Sequence, residues 1–168
     1  YVSKLTLPGD EIRKNLTEVR KVDQLSSLFS KPGKVLDVGC GTGTFLSIAK
    51  KHGWDCTGVE ISENGVRSTK DFNIKVIEES FDGYQTQERF DSITFWGVLE
   101  HVVNPYEQVL KAFSLLKKGG VIIFEVPSAD SLLMQFVIKH NLVPYRFIES
   151  ARHLTFFSKK SLKYLCEK

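Results

Sequence analysis

Three glycines at alternate positions mark the part of the chain whose residue types and spacing are suited to chemistry. The stretch from Val35 to Thr44 reads Val-Leu-Asp-Val-Gly-Cys-Gly-Thr-Gly-Thr, which sets Gly39, Gly41 and Gly43 directly after an apolar run. Glycine lacks a Cβ atom, so such a loop can adopt positive φ angles and let its backbone touch a ligand. The first N–H groups of a following helix are unpaired and favour an anion. The stretch predicts a strand, a glycine loop and a helix N-terminus that bind a small molecule with an anionic end.

The spacing of the glycines separates the candidate ligand classes. A dinucleotide fingerprint requires Gly-x-Gly-x-x-Gly or Ala, but counting from Gly39 the last position is occupied by Thr44, which disfavours a nicotinamide cofactor. A nucleoside-triphosphate loop ends in Gly-Lys-Ser/Thr, and no lysine occurs between Lys34 and Lys50. A nucleoside-triphosphate-binding loop is therefore excluded.

A carboxylate follows the glycine loop at a distance suited to binding a ribose. The pattern from Trp54 to Glu60 predicts a second strand, and Glu60 at its end lies 17 residues after Gly43. A carboxylate in this position can accept hydrogen bonds from two ribose hydroxyls. The alternative interpretation is a surface glutamate that caps the helix following at Ser62.

The rest of the chain predicts the elements that position these residues. A first helix is expected from Asp10 to the Pro32-Gly33 pair, with an apolar face of Ile12, Leu16, Val19, Val22, Leu25 and Leu28. Further helices are expected over 44–52 and 62–71, from Pro105 to the Gly119-Gly120 pair, and after the cap residue Ser158. Strands are expected over 35–38, 54–60, 74–77, 90–96 and 121–126. Such alternation predicts a doubly wound α/β fold with a mostly parallel sheet and helices on both faces. Ligands bind at the carboxyl ends of such strands, where Gly39, Glu60, Glu79 and Trp96 fall.

Length and composition limit the classes of protein. A chain of 168 residues predicts one domain, 1–168, and its net charge of +3 comes from scattered lysines that do not indicate nucleic-acid binding. The apolar runs are too short for a membrane span and no secretory signal is visible, so we expect a cytoplasmic protein. The three cysteines show no Cys-x-x-Cys pair and the four histidines show no metal-ligand spacing, which predicts neither a disulfide nor a metal.

Three motifs resemble one enzyme family. Asp37 to Gly43 closely resembles the first motif of the class I (seven-strand, Rossmann-like) S-adenosylmethionine-dependent methyltransferases. Phe90 to Val102 contains Phe-Asp-x-Ile-x-x-x-x-Val-Leu-Glu-His-Val, and with Asn104-Pro105 it is similar to a small-molecule subgroup that includes ubiquinone-biosynthesis type, bacterial sugar and secondary-metabolite methyltransferases. His153 to Leu162 resembles the His-Leu-x-x-Phe-Ser-x-x-Ser-Leu signature of the same subgroup.

The resemblance implies a cofactor, S-adenosyl-L-methionine, with S-adenosyl-L-homocysteine as product, and a small-molecule acceptor. The implied cofactor-binding residues are Asp37, Gly39, Cys40, Gly41, Gly43, Glu60, Ile61, Glu79, Ser80, Phe81, Trp96 and Gly97. In the family the loop after the third strand holds the adenine, so Glu79 or Ser80 would bind the exocyclic amine and the backbone N–H of Phe81 the ring. The segment after Trp96 would lie beside the methionine and the acceptor.

The family chemistry needs no obligatory nucleophile, because a sulfonium is already a good leaving group. A general base helps when the acceptor is a hydroxyl or an acidic carbon, and His101, then His153, are the candidates, each with a purely structural role as the alternative. A non-catalytic S-adenosylmethionine-binding module and a nicotinamide-dependent oxidoreductase are the competing hypotheses.

The chain divides into three predicted parts. Residues 1–33 form a leading helical segment, 34–126 the cofactor-binding core, and 127–168 a lid or acceptor region, whose residues 127–145 form a helix or a lid. The family fold continues with two further strands, so we expect one edge of the sheet to lack the final strands and to favour association, for example as a homodimer.

Overall fold

Five parallel strands form the centre of the protein in a computed structural model that describes residues 10–140 and 153–167. They are β1 (Lys34–Val38), β2 (Asp55–Glu60), β3 (Lys75–Glu78), β4 (Phe90–Trp96) and β5 (Leu116–Glu125). Their spatial order is β3-β2-β1-β4-β5. The sheet reverses its winding on either side of β1, so the carboxyl ends of β1, β2 and β4 meet at the point where such sheets bind ligands. The predicted doubly wound α/β fold is confirmed.

Helices connect the strands and cover the sheet. They are α1 (Asp10–Ser27), α2 (Thr44–Lys51), α3 (Glu63–Thr69, extended by the 3₁₀ turn Lys70–Phe72), α4 (Pro105–Leu115), α5 (Leu132–Lys139) and α6 (Lys159–Cys166). Ser62 caps α3 by accepting from the N–H of Gly65, and Asn104 caps α4. Ser158 caps α6 in a capping box with Ser161, as the sequence predicts.

Alternate residues of the central strands point to two separate cores. Val35 packs with Val22 and Leu25 of α1 and with residues of α2 on one face of the sheet. Leu36 packs with residues of β4, α4 and α6 on the other face. Alternation along β1 thus attaches helices to both faces, because successive side chains of a strand point in opposite directions.

The boundary between α4 and β5 differs from the prediction. The helix ends at Leu115 rather than at the Gly119-Gly120 pair, and β5 begins at Leu116, which pairs with Phe90. The next aligned pair is Ser92 with Val121, so the intervening residues of β5 bulge, and Gly119 adopts a φ of 80° within that bulge. The glycine pair marks a bulge in the strand instead of a helix end.

The predicted apolar face of α1 is only partly buried. Val22 and Leu25 are fully buried, whereas Leu16 and Leu28 are exposed, and Val19 lies at the exposed limit. Of the α1 side chains that are described, Val22 and Leu25 pack with residues of α2, so over this part of the helix the periodicity overestimates the covered face. Residues 1–9 of the predicted leading segment and the stretch 141–152 lie outside the described residues.

The part after β5 contains the predicted helix. Helix α5 follows a turn after β5. Ser128 forms an isolated parallel bridge with Phe157, which joins the segment after β5 to the segment before α6. Among the residues described, no helix is both long and apolar enough to cross a membrane.

Candidate active site

The glycine loop between β1 and α2 adopts the conformation that its sequence predicts. Gly39, Gly41 and Gly43 have φ angles of 68°, 53° and 72°, in the region that other residues rarely occupy. The N–H groups of Gly39 and Cys40 both donate to the carbonyl of Val59, at 2.8 and 3.2 Å. The loop is therefore fixed to the end of β2.

The side chain of Glu60 also holds the glycine loop by hydrogen bonds. It is 8% exposed; its Oε2 accepts from the N–H of Gly41 at 2.7 Å, and its Oε1 accepts from the N–H of Ser62 at 2.8 Å. A carboxylate offers about four acceptor positions, so two remain for a ligand. Glu60 is therefore buried rather than on the surface and anchors the loop, and its bond to the N–H of Ser62 is the contact that it shares with the capping role of the alternative interpretation.

A cavity of about 160 Å³, here called cavity A, opens beside Glu60. Its wall consists of Val38, Gly39, Val59, Glu60, Ile61, Glu79, Ser80, Phe81, Asp82, Val98, Val102 and Gln108. The lining is mostly apolar, with a few polar groups on opposite sides, as is typical of a pocket for a flat ring with polar edges.

A second cavity of about 270 Å³, here called cavity B, lies on the other side of Gly39. Its wall consists of Glu18, Lys21, Asp37, Gly39, Cys40, Gly41, Thr42, Thr44, Phe45 and Trp96. Gly39 belongs to both walls, so the two cavities are neighbours at the carboxyl end of β1.

Asp37 is the buried acid of cavity B. It is 2% exposed and accepts a hydrogen bond from Thr94 Oγ1 at 2.7 Å. Burial is the main cause that raises the pKa of Asp37 to about 7, and the nearby charges of Glu18 and Glu60 raise this pKa further. The hydrogen bond from Thr94 and the charge of Lys21 act in the opposite direction and lower it. Asp37 thus titrates near neutral pH, and a cation in cavity B would favour its charged form.

Helix α1 supplies two charged groups that close cavity B. Lys21 Nζ lies 3.1 Å from Glu18 Oε1 and 5.0 Å from the centroid of the Trp96 ring, and the side chains of Lys21 and Glu18 are each 13% exposed. The Nε1 of Trp96 is buried and has no hydrogen-bond partner among the described residues. Cavity B therefore combines a carboxylate, an ammonium and an unused N–H donor.

Cys40 is chemically inert in this setting. Its thiol is buried, which together with the charges of Asp37 and Glu60 raises its pKa to about 12. The small side chain packs closely against Gly58, where a Cβ would lie 2.6 Å from the Cys40 Sγ.

The segment after β3 forms an ordered turn against cavity A. Gly83 and Tyr84 both donate their N–H groups to the carbonyl of Ser80. The ring of Phe81 is 5% exposed and packs edge-on against Phe95 at 5.7 Å, so its side chain belongs to the core and only its backbone is available to a ligand.

The two predicted histidines lie together beyond the carboxyl end of β4. The rings of His101 and His153 are 4.7 Å apart, and Glu100 Oε1 lies 4.0 Å from His101 Nε2. The N–H groups of Leu154 and Thr155 donate to the carbonyl of Glu100, which holds the two segments together.

This histidine cluster contains two buried polar atoms that lack a hydrogen-bond partner within the described part of the chain, Glu100 Oε2 and His153 Nδ1. One ligand atom from each of Glu100, His101 and His153 lies within 4.8 Å of the others, which is close enough for one cation to be coordinated by all three. The sequence predicts no metal, and this remains a prediction.

Comparison with known proteins decides the family. A profile described as a methyltransferase domain matches residues 11–168. The chain belongs to the methyltransferase-domain family. The ubiquinone biosynthesis O-methyltransferase of Coxiella burnetii is 34% identical over 119 residues, covering 66% of this chain and 49% of that protein. The enzyme of the same name from Pseudomonas entomophila is 30% identical over 118 residues, covering 66% and 50%. The chain thus spans about half the length of the curated relatives it matches.

Solved methyltransferase structures share the fold. The plantazolicin methyltransferase BpumL, in complex with a substrate analogue and S-adenosylhomocysteine (SAH), superposes with a TM-score of 0.76 at 20% identity, covering 93% of this chain and 64% of that one. A SAM-dependent methyltransferase from Archaeoglobus fulgidus gives a TM-score of 0.68 at 24% identity, covering 95% and 70%. The Rossmann-like methyltransferase architecture is confirmed.

Most of the predicted site residues of this methyltransferase domain lie around the two cavities. Gly39, Glu60, Ile61, Glu79, Ser80 and Phe81 line cavity A, whereas Asp37, Cys40, Gly41 and Trp96 line cavity B. Gly43 begins α2 and Gly97, with a φ of 68°, follows β4; neither lines a cavity.

Sequence reasoning missed the wall residues that come from helices. Lys21 and Glu18 reach cavity B from α1, and Gln108 reaches cavity A from α4. No local motif marks these positions, because each contact depends on how a distant helix packs on the sheet. Asp82, one residue beyond the predicted adenine loop, also lines cavity A.

Proposed function

We propose that this chain is the cofactor-binding domain of an S-adenosylmethionine-dependent methyltransferase that acts on a small molecule. The observation that carries the proposal is the junction of cavities A and B at Gly39, with Glu60 on one side and Asp37 and Lys21 on the other. This arrangement suits a ligand with a nucleoside at one end and a zwitterionic amino acid at the other. The SAH complex of BpumL and the names of the curated relatives support it.

The residues of cavity A take the nucleoside in this proposal. Glu60 accepts the two ribose hydroxyls with its remaining acceptor positions, and Ile61, which is 74% exposed, covers one face of the adenine. The backbone of Phe81 binds the ring, and polar side chains of the loop over 79–82 bind its edge.

The residues of cavity B take the amino-acid end. Asp37 pairs with the ammonium, and Lys21 with the carboxylate, which also lies near the free N–H of Trp96. Gly41 and Gly43 keep the loop backbone open, Cys40 fills the space beneath it, and Gly97 gives the chain room to turn beside the transferred group.

The proposed chemistry needs little from the protein beyond position. When bound, S-adenosylmethionine supplies a methyl group on a sulfonium leaving group, and SAH is the product. The chain's contribution is to align the acceptor and exclude water. His101 acts as the general base for a hydroxyl or acidic acceptor, with His153 beside it, because both lie next to the segment that follows β4.

We further propose a cytoplasmic location and a small-molecule acceptor held near α5 and the histidine cluster. The three cysteines are free, which suits a reducing compartment. The chain also associates through the exposed edge beside β5, as a homodimer.

Calorimetric titration with S-adenosylmethionine, SAH and NAD tests the cofactor. Binding of the first two and not of NAD is the expected result; binding of NAD alone would favour the oxidoreductase. Transfer of a labelled methyl group to a panel of phenols, amines and carbon acids then tests the activity. Cofactor binding without transfer over the whole panel would favour the non-catalytic module.

A further inference from the structure

Strand β4 carries two hydroxyl side chains that are fully buried, Ser92 and Thr94. They are two residues apart, so both point to the same face of the sheet. A buried hydroxyl is costly unless it is hydrogen-bonded. Ser92 Oγ donates to the carbonyl of Val121 on β5 at 3.1 Å, which is a contact between two strands. Thr94 has a partner of another kind.

Thr94 lies directly opposite Asp37 in the parallel register of β1 and β4. Its Oγ1 is 2.7 Å from Asp37 Oδ1 and 3.4 Å from the carbonyl oxygen of Leu36. A hydroxyl has one hydrogen to donate, and an ionised carboxylate can only accept. Because the contact with Asp37 is the shorter one, Thr94 donates to this carboxylate when it is charged.

This hydrogen bond acts on the buried carboxylate of cavity B. Three neighbouring groups act on Asp37 through their charges: Lys21, Glu18 and Glu60. Thr94 instead donates a hydrogen bond, which favours the charged form and lowers the pKa of Asp37 against the effect of burial. One such bond uses one of about four acceptor positions of the carboxylate, so others remain for a cation in the cavity.

The position of the Thr94 hydroxyl is set by the sheet itself. Strands β1 and β4 pair from Val35 with Ser92 to Val38 with Phe95, so both partners of the hydrogen bond lie inside a continuous ladder. Threonine is branched at Cβ, which restricts rotation about χ1. The hydroxyl therefore holds the Asp37 carboxylate in one orientation without any contact of its own to a ligand.

We propose that Thr94 is a positioning residue that holds the charged Asp37 carboxylate in place for the ammonium group of the bound cofactor. The chain then prefers ligands that carry an amino group at this point. This inference rests on the proposed function, which pairs Asp37 with the ammonium and gives Thr94 no part. Without the hydroxyl, a buried carboxylate loses the donor that keeps it charged and oriented.

The test compares two ligands that differ only in the amino group: SAH and its deaminated analogue, 5′-S-(3-carboxypropyl)-5′-thioadenosine. Calorimetry at about pH 8, above the pKa of Asp37, measures both affinities. The unmodified chain should bind SAH about 10- to 150-fold more tightly, the range expected for one charge-assisted hydrogen bond. Asp37→Asn removes the charge and should abolish most of this preference.

Thr94→Val keeps the volume and the branched Cβ of threonine but removes the hydroxyl. It should reduce the preference for SAH to a few-fold and leave the affinity for the deaminated analogue nearly unchanged, because only the contact with the ammonium is altered. Thr94→Ser retains the hydroxyl and should retain the preference. Ser92→Ala is the matched control, since it removes the other buried hydroxyl of β4 and should keep the ratio of the two affinities.

Circular dichroism melting checks that each variant folds, and Thr94→Ala replaces Thr94→Val if the latter does not. An unchanged ratio in Thr94→Val would overturn the inference, and so would equal weakening of both ligands, which is the result of a purely structural role. Equal affinities of the unmodified chain for the two ligands would also overturn it. Failure of the unmodified chain to bind SAH at all would instead overturn the proposed function.

Discussion

The two halves of the candidate active site are built in different ways. Around the glycine loop, backbone N–H groups and the buried carboxylate of Glu60 satisfy one another, and only narrow cavities remain. On the acceptor side, the buried Glu100 Oε2 lacks a partner among the residues described, and Leu132 and Leu154 are 84% and 58% exposed. In the proposed cofactor half the loop hydrogen bonds are already in place, and the buried N–H of Trp96 lacks a partner among the described residues; the proposed acceptor half combines such unpartnered polar atoms with exposed apolar side chains. Changes in the two halves should therefore have separable effects on binding and on turnover.

The substitution with the largest expected effect, His101→Ala, most clearly distinguishes turnover from cofactor binding. His101→Ala should lower kcat by about 10²- to 10⁴-fold on a hydroxyl acceptor, because a general base contributes an effect of that order, while the affinity for S-adenosylmethionine changes little. Initial rates and calorimetry on the same preparation measure both quantities. His52→Ala, at the end of α2, is a matched control and should leave both unchanged.

Two outcomes would contradict this assignment. Near-normal turnover of His101→Ala would leave alignment of the acceptor as the whole mechanism. Loss of wild-type activity on addition of EDTA, with recovery on adding a divalent cation, would instead mean that Glu100, His101 and His153 hold a metal.

Glu60→Ala should have the converse effect, on binding rather than on chemistry. It removes two hydrogen bonds to the ribose and also the acceptors for Gly41 and Ser62, so we expect the Kd for S-adenosylmethionine to rise by about 10²- to 10⁴-fold, at about 1.5–3 kcal/mol for each charged hydrogen bond. Glu60→Gln keeps one acceptor oxygen and should lose less. Calorimetric titration measures both, and an unchanged affinity in Glu60→Ala would exclude Glu60 from the site.

The cofactor half was largely predictable from sequence, for a physical reason. Alternate glycines, a strand-terminal carboxylate and apolar runs are local signals, so Gly39, Glu60 and β4 lie where their neighbours in sequence predict. The contributions of Lys21 and Gln108 were not predictable, because they arise where separate helices pack against the loops. The start of β5 at Leu116 was missed for the same reason, since its pairing with Phe90 is non-local.

Two glycines of one loop offer a test of what organises the cofactor half. A Cβ at Gly43 would lie 2.7 Å from Thr69 Cγ2, whereas a Cβ at Gly41 would meet nothing within 4 Å. Gly43→Ala combines this clash with a positive φ and should destabilise the fold by about 2–4 kcal/mol. Gly41→Ala has the backbone strain alone and should cost about 1 kcal/mol. Urea unfolding measures both, and equal losses would show that steric contact with α3 is irrelevant.

The proposed role of Asp37 predicts that cofactor binding depends on pH. Its pKa of about 7 in the free chain means that below this pH the ammonium of the ligand must first displace a proton, so affinity should fall up to about tenfold per pH unit below 7. Lys21, Glu18 and Glu60 are the charged groups that face it. Calorimetry in buffers of different ionisation enthalpy should detect proton release near pH 6 that Asp37→Asn lacks; equal release in both would assign the proton to another group.

Asp37 should also make the free energy of unfolding depend on pH, in the direction that its raised pKa determines. The folded chain binds the Asp37 proton more tightly than the unfolded chain does, because burial raises the pKa from its ordinary value of 3.8. The stability of the free protein should therefore decrease as pH rises from about 4 to 7 through this group, and Asp37→Asn should lack that decrease. Binding of the cofactor should offset it.

The smallest expected effect concerns a surface that belongs to neither half. Beside the edge strand β5, Phe113 and Leu110 of α4 are 70% and 45% exposed and line a groove with Ile122 and Leu165. Within residues 10–140 and 153–167 no strand pairs with the outer edge of β5, and such an edge next to apolar side chains favours association, so we expect dimers through this face. Phe113→Ser should weaken dimers several-fold in sedimentation velocity and change the free energy of unfolding by no more than about 0.5 kcal/mol. Phe136→Ser changes another exposed phenylalanine, 54% exposed, on the proposed acceptor side and should leave the dimer unaltered. An equal effect of both changes, or a monomer at the highest attainable concentration, would contradict association through β5.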